Sequence, residues 1–277
     1  MTTSACSILT GPSRHSVAPS APGLKTEDVT FASGSGSTIH AWLIRGRTGA
    51  GSVLLLHGVG SNRTSMAARA AFLHALGFTV LAPDFQAHGE STGDRVTFGA
   101  RESFDAEAAL RYIREAQPGE RVGIIGVSMG GAATLLGTHP LAADALVLES
   151  VYPTIRQALR NRLTTWLGPL SGIGRLFTPV VLRVLSADID LPESALQPIA
   201  HIGEFDAPVL VMNGTLDPYT PLAEAESLFA HARAPKEFWG VEGAAHEDLY
   251  DFGPGSYEQR VGAFLLLHLR PADTRGE

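Results

Sequence analysis

A serine, an aspartate and a histidine occur in this chain in an order and setting that would let a hydroxyl act as a nucleophile. Ser128 lies in Gly126-Val127-Ser128-Met129-Gly130. A serine hydroxyl attacks a carbonyl carbon only when a neighbouring base takes its proton. It must also project from a tight strand-to-helix turn, which small flanking residues allow to close. A second pentapeptide of the same form, Gly89-Glu90-Ser91-Thr92-Gly93, is present. Context separates the two. Ser128 follows an apolar run and precedes Gly130-Gly131-Ala132-Ala133, whereas Ser91 follows the polar Gln86-Ala87-His88 and enters no helical pattern at once. Ser128 is the expected nucleophile.

His246, in Gly243-Ala244-Ala245-His246, is the expected general base, because a neutral imidazole accepts a proton near pH 7. The chain has nine other histidines, of which His57 and His88 are the competitors. Asp217, in Asn213-Gly214-Thr215-Leu216-Asp217, is the expected third member, holding the imidazole tautomer and stabilising imidazolium. Glu149 is the alternative acid, and Asp248 stands too close in sequence to His246 to compete. Acyl transfer also needs two N–H groups aimed at the developing oxyanion. The amides of Met129 and Val59 are the expected donors, the latter from His57-Gly58-Val59-Gly60.

These residues need a frame that gathers them. Runs at residues 52–57, 79–82, 122–127, 145–148 and 208–212 are apolar without alternation, as in strands buried on both faces of a parallel sheet. A further short run covers 237–241. Residues 29–33 and 38–45 flank Gly34-Ser35-Gly36-Ser37 and read as a hairpin. Helical spacing occupies 65–76, 102–115, 130–138, 221–233 and 256–269. Strands alternating with helices imply a parallel sheet covered on both faces. Ligands then bind beyond the carboxyl ends of the strands, where Ser128, Asp217 and His246 all fall.

Residues 152–206 break the rhythm and are too long for a plain loop. They contain helical stretches at 159–167 and 177–185, interrupted by Gly168-Pro169 and by Gly172 and Gly174. The expectation is a helical cap. It carries Arg156, Arg160, Arg162, Arg175 and Arg183, with no acidic residue between Glu149 and Asp188. Either these are a solvated face, or they form a cationic lid for an acidic substrate or peripheral contact with an anionic lipid surface. Trp166, Leu167, Leu170, Ile173, Leu176 and Phe177 either line an acyl pocket or pack the cap on the core. Residues 1–23, rich in Ser, Thr, Pro and Gly, read as a mobile leader. The expected division is leader 1–23, core 24–151, cap 152–206 and core 207–277.

Composition excludes several classes. The chain has 277 residues, 44% hydrophobic and 18% charged, which rules out a wholly disordered protein. One cysteine, Cys6, rules out an intrachain disulfide framework and a cysteine-rich zinc site, and no metal or cofactor is expected. A net charge of −7 argues against nucleic acid as partner. No transmembrane stretch or signal peptide is evident, so the expected location is cytoplasmic. Oligomeric state is not encoded. Only Lys25 and Lys236 are lysines among 21 basic side chains, a bias with a compositional explanation.

Over residues 28–270 the chain resembles the α/β-hydrolase superfamily. The resemblance is carried by Leu56-His57-Gly58-Val59-Gly60, Asp84-Phe85-Gln86-Ala87-His88-Gly89-Glu90-Ser91, Gly126-Val127-Ser128-Met129-Gly130-Gly131, Asn213-Gly214-Thr215-Leu216-Asp217 and Gly243-Ala244-Ala245-His246. Within it the chain is similar to bacterial esterase, lysophospholipase and serine-aminopeptidase-like hydrolases. Gln86-Ala87-His88 departs from the Arg-Gly-His-like turn common in that group. The resemblance implies an α/β fold with an eight-stranded, mostly parallel sheet flanked by helices and a helical cap after strand six. It implies a hydrolase but does not name the substrate. Cofactor-independent cleavage of a small-molecule carboxylic ester or thioester is the leading expectation. A serine peptidase and a non-catalytic binding protein on the same scaffold are the alternatives.

Overall fold

Continuous apolar runs become strands with no exposed residue. Every position of β3 (Ser52–Leu56) is buried. The strands β1 (Glu27–Ala32), β2 (Thr38–Ile44), β3, β4 (Thr79–Pro83), β5 (Val122–Val127), β6 (Ala145–Glu149), β7 (Val209–Gly214) and β8 (Lys236–Val241) form one sheet. Their order is β8-β7-β6-β5-β3-β4-β2-β1. β2 runs antiparallel to both neighbours, and the pairs from β4 to β8 are parallel. The computed structural model describes residues 10–17 and 24–270, and within them not the side chains at positions 170, 171, 173 and 175. Cys6 therefore lies outside the described residues.

Side chains along each strand alternate between two cores. Leu54, Leu56, Ile124, Leu146, Leu148, Val209 and Val211 face one core. Val53, Leu55, Ile125, Val147, Leu210 and Met212 face the other. The first core is closed by α2 (Glu102–Ala116), α3 (Met129–Leu135) and α6 (Leu222–His231), and the second by α1 (Ala67–Leu76) and α7 (Pro254–Leu269). Each fully buried Leu, Ile or Val contributes about 1.5–3 kcal/mol. That is why unalternated runs settle at the centre of such a sheet. Because β3 to β8 are parallel, their carboxyl ends share one rim.

Between β6 and β7 lie α4 (Ile155–Leu167), a short 3₁₀ turn (Gly168–Leu170) and α5 (Ser171–Ile189). Thr154 caps α4 by accepting the Gln157 amide hydrogen at 3.3 Å. Gly172 and Gly174 do not break the helix as expected; both lie inside α5. A β-carbon at Gly174 would come within 3.1 Å of the Leu163 backbone, so this glycine marks close contact between α4 and α5. The helix after Ser128 ends at Leu135, short of the expected 138. The carbonyl of Thr134 accepts from Leu141 at 2.9 Å, closing a turn where the helix would have continued.

Part of the expected mobile leader is ordered. Ser13–Arg14 pair in parallel with His88–Gly89. The Ser13 amide donates to Ala87 at 2.7 Å, the His15 amide to Gly89 at 2.9 Å, and the Val96 amide to Thr10 at 2.8 Å. The Thr10 hydroxyl also meets Asp188 at the end of α5. Residues 10–17 thus form a strap joining the turn at 87–89 to α5. The rest of 1–23 lies outside the described residues.

Candidate active site

Ser128 joins β5 to α3 with φ 50° and ψ −112°. Such a conformation in a non-glycine residue costs about 1–3 kcal/mol and persists only where surrounding structure imposes it. Here the imposing contacts involve glycine. A β-carbon at Gly126 would lie 2.5 Å from Gly131 Cα, and one at Gly130 would collide with the Leu56 carbonyl. The Ser128 amide donates to Glu149 O at 2.7 Å, tying the turn to β6. The pentapeptide's glycines let α3 start directly over β3 and β5.

Asp217 follows β7 and is buried. Its Oδ1 accepts the amide hydrogens of Tyr219 and Thr220, each at 2.8 Å, and its Oδ2 meets His246 Nδ1 at 2.7 Å. This geometry places the ring proton on Nδ1 and leaves Nε2 with a lone pair. The loops carrying the two residues are joined: the Leu216 amide donates to Ala244 O at 2.9 Å and the Gly243 amide to Thr215 Oγ1 at 2.9 Å. The Tyr219 ring meets the His246 ring edge-on, centroids 5.3 Å apart. Among the described residues no hydrogen bond joins the Ser128 hydroxyl to His246; such contacts are often long without substrate and tighten when it binds.

The competitors are occupied elsewhere. His57 is fully buried, donates from Nδ1 to Gly58 O at 2.8 Å and accepts the Phe85 amide at Nε2 at 3.1 Å. Burial, with His88 beside it, lowers its pKa to about 3, so it stays neutral. His88 donates from Nδ1 to Gln86 O at 2.8 Å and accepts the Gly60 amide at Nε2 at 3.1 Å. Burial lowers its pKa too. Both imidazoles fasten the loop after β3. Glu149 is committed to the buried Arg69, 2.7 Å away, and to Tyr257. Asp248 meets Arg69 at 2.8 Å. Ser91 is buried, donates to Asp84 O at 2.7 Å and accepts from the His40 amide at 2.9 Å.

A cavity of about 510 Å³ opens at Ser128. Val59, Gly60 and Met129 line it beside the serine, and Val96, Phe98, Ile155, Leu159 and Trp166 supply apolar wall. Among the described residues, no turn or loop hydrogen bond is donated by the amides of Val59 or Met129. Gly11, Pro12, Ser13 and His15 of the strap also line the cavity, a contribution that sequence reading missed. A two-residue ladder has no periodicity to find.

The residues of α4 and α5 divide in a way helical spacing did not resolve. Trp166 lines the cavity, while Leu176 and Phe177 are exposed. Leu170, Ile173 and Arg175 have side chains outside the described ones. Arg156 pairs with Glu193 and Arg160 approaches Glu224 at 3.5 Å, so acids beyond α5 balance two of these arginines. Arg162 lines the cavity, its guanidinium over the Tyr219 ring at 5.1 Å. Among the described residues there is no cluster of His, Cys, Asp or Glu suited to a metal ion, and no helix long and apolar enough to cross a membrane.

A family model described as serine aminopeptidase, S33, matches residues 48–186. The uncharacterized protein YqkD of Bacillus subtilis is 26% identical over 224 residues, 77% of this chain and 70% of its own length. The uncharacterized protein Rv2307c of Mycobacterium tuberculosis is 29% identical over 243 residues, 86% of this chain and 76% of its own. Among solved structures, the Pyrococcus furiosus esterase Pf2001 superposes with a TM-score of 0.76 at 23% identity, covering 94% of this chain and 99% of that one. The α/β-hydrolase GrgF from Penicillium sp. sh18 gives a TM-score of 0.69 at 17% identity, covering 89% and 99%. At these identities the structural likeness concerns the fold. The sheet order, the strained serine after β5 and the family match lead to one conclusion: the chain belongs to the serine aminopeptidase S33 family of α/β-hydrolases.

Proposed function

We propose that this protein is a serine hydrolase that cleaves carboxylic esters or thioesters through an acyl-enzyme. The observation that carries the reading is the 2.7 Å contact between buried Asp217 and His246, on the same rim as a strained serine that opens on a largely apolar cavity. In this mechanism Ser128 Oγ attacks the carbonyl carbon while its proton passes to His246 Nε2. Asp217 holds the ring and stabilises imidazolium. The amides of Val59 and Met129 receive the oxyanion. His246 then protonates the departing alcohol or thiol. Water attacks the acyl-serine by the reverse route and frees the acid. The chemistry asks for no metal or cofactor, and α4 and α5 serve as the cap over the bound acyl group.

An aminopeptidase reading has support in the family description. It needs a carboxylate to receive the substrate's ammonium, and among the described residues no Asp or Glu lines the cavity. This favours esters. The test is labelling with a fluorophosphonate probe, together with nitrophenyl esters and aminoacyl-nitroanilides as substrates. Wild type should be labelled and should turn over esters faster than anilides, and Ser128→Ala should lose both activities. An unlabelled wild type would return the binding-protein reading, and faster anilide turnover would return the peptidase.

A further inference from the structure

The cavity at Ser128 is largely apolar. Among the described residues that line it, Arg162 from α4 and His15 from the strap are the nitrogen bases, and none is a carboxylate. Arg162 differs from its neighbours on the helix. Arg156 and Arg160 turn toward Glu193 and Glu224. The Arg162 guanidinium sits over the Tyr219 ring, 5.1 Å from its centroid, and makes no hydrogen bond or ion pair with any described residue. Asp217 is the acid near it, but both Asp217 oxygens are taken, by two amides and by His246. A guanidinium presents a planar fork of N–H donors that matches a carboxylate or phosphate. Over an aromatic ring it is attracted to the ring face without using up its N–H donors. Burial draws its pKa down, opposed by Tyr219 and Asp217, but arginine remains charged at any physiological pH. A half-buried cation without an acceptor, at the wall of a largely apolar cavity, is costly unless an anion completes it.

We infer that this cavity takes an anionic ester, one whose acyl or leaving part carries a carboxylate or phosphate that pairs with Arg162 while its apolar portion fills the rest. The ester part of this statement rests on the function proposed above; the anion site does not. Tyr219 links the two, since its ring touches both Arg162 and His246. An anion docked on Arg162 therefore lies one aromatic ring away from the general base. Trp166, one turn further along α4, lines the same cavity.

The experiment compares matched esters that differ in one negative charge. Mono(4-nitrophenyl) glutarate against 4-nitrophenyl pentanoate places the charge in the acyl part. A carboxymethyl-substituted phenyl pentanoate against phenyl pentanoate places it in the leaving part. The expected result is a preference of about tenfold or more in kcat/KM for the anionic member of one pair, as a charge-assisted fork contact provides. The pair that responds tells which part of the substrate reaches Arg162. Arg162→Gln should bring the ratio within the pair down toward one, and Arg162→Lys should keep part of it. The ratio is the readout, so a change in absolute rate does not confuse it. A parallel arm measures calorimetric binding of monomethyl glutarate and of methyl pentanoate to the Ser128→Ala protein. Tighter binding of the anion, lost on adding Arg162→Gln, supports the site even if no ester is hydrolysed, in which case the hydrolase reading alone fails. Equal treatment of both members of each pair, or a ratio that Arg162→Gln leaves unchanged, overturns the inference.

Discussion

His88 Nε2 accepts the amide hydrogen of Gly60 at 3.1 Å, so a buried imidazole in the turn after β4 fixes the loop that follows β3. The same ring anchors itself by donating to Gln86 O at 2.8 Å. One neutral histidine thus joins two rim loops, one of which carries Val59. His88→Ala leaves the Gly60 donor and the Gln86 carbonyl without these partners. Urea unfolding should show a loss of about 1–3 kcal/mol. Because the Val59 amide loses its support, kcat on a nitrophenyl ester should fall by about tenfold or more. Unchanged kcat would mean that this loop does not position the oxyanion donor.

Asp217→Asn tests the tautomer. Asp217 Oδ1 receives two amide hydrogens, so the asparagine oxygen stays there and its NH₂ turns toward His246 Nδ1. That nitrogen must then accept, which moves the ring proton to Nε2, where it opposes the serine hydroxyl. The kcat should fall by about 10⁴, as in other sites of this arrangement. A fall of only a few-fold would assign Asp217 to loop structure instead.

Glu149 and Arg69 make a buried ion pair at 2.7 Å, with Tyr257 and Asp248 completing the group. The Arg69 side chain is 0% exposed, so its charge has no water to fall back on. Glu149→Ala should cost about 3–5 kcal/mol in urea unfolding. A loss below about 1 kcal/mol would show that Asp248 alone neutralises the arginine.

Two buried groups act on stability with opposite sign. Burial pushes the Asp105 carboxyl up to about 7, against hydrogen bonds from Ser33, Ser35 and the Gln86 amide. The folded state then binds this proton more tightly than the unfolded chain, so its contribution declines as pH rises from about 4 to 7. His57, held down at about 3, stays neutral when the unfolded chain takes up a proton. Its contribution declines as pH falls below about 6.5. Between roughly pH 4 and 6.5 the two offset each other. Asp105→Asn removes the first, so the slope of unfolding free energy against pH should become more positive by roughly 1 kcal/mol per unit. Urea titrations at pH 4.5, 5.5 and 6.5 measure this, and parallel slopes for the two proteins would contradict it.

Removal of residues 1–17 strips Gly11, Pro12, Ser13 and His15 from the cavity wall. Wall contacts of this kind act as uniform binding when they serve ground and transition state alike, so KM should rise several-fold with kcat in its former range. A collapse of kcat with unchanged KM would instead place the strap in the reacting geometry.

The sheet was readable in the sequence because central strands bury both faces. Residues 52–56 and 122–127 can lie nowhere else without exposing apolar surface to water. Ser128 was readable for a steric reason, since its flanking glycines are what a turn of that tightness demands. The pairing expected for Asp217 and His246 from their places after β7 and β8 corresponds to the 2.7 Å contact. Other features were not legible. His57 and His88 have the same residue type and rim position as a general base, and only their buried partners show that they are fasteners. Gly174 reads as a helix breaker until Leu163 is seen packed against it.

Local sequence thus determined the strands, the strained serine and the order of chemical groups along the rim, because backbone sterics and burial act over a few residues. Tertiary structure alone decided which arginine of α4 faces the cavity, where the strap lies, and which acids and histidines are already taken. Those outcomes depend on contacts such as Ser13 with Ala87, Arg69 with Glu149 and Arg162 with Tyr219, between residues far apart in the chain. A side chain's direction is set by what the folded chain packs against it, which no local window contains.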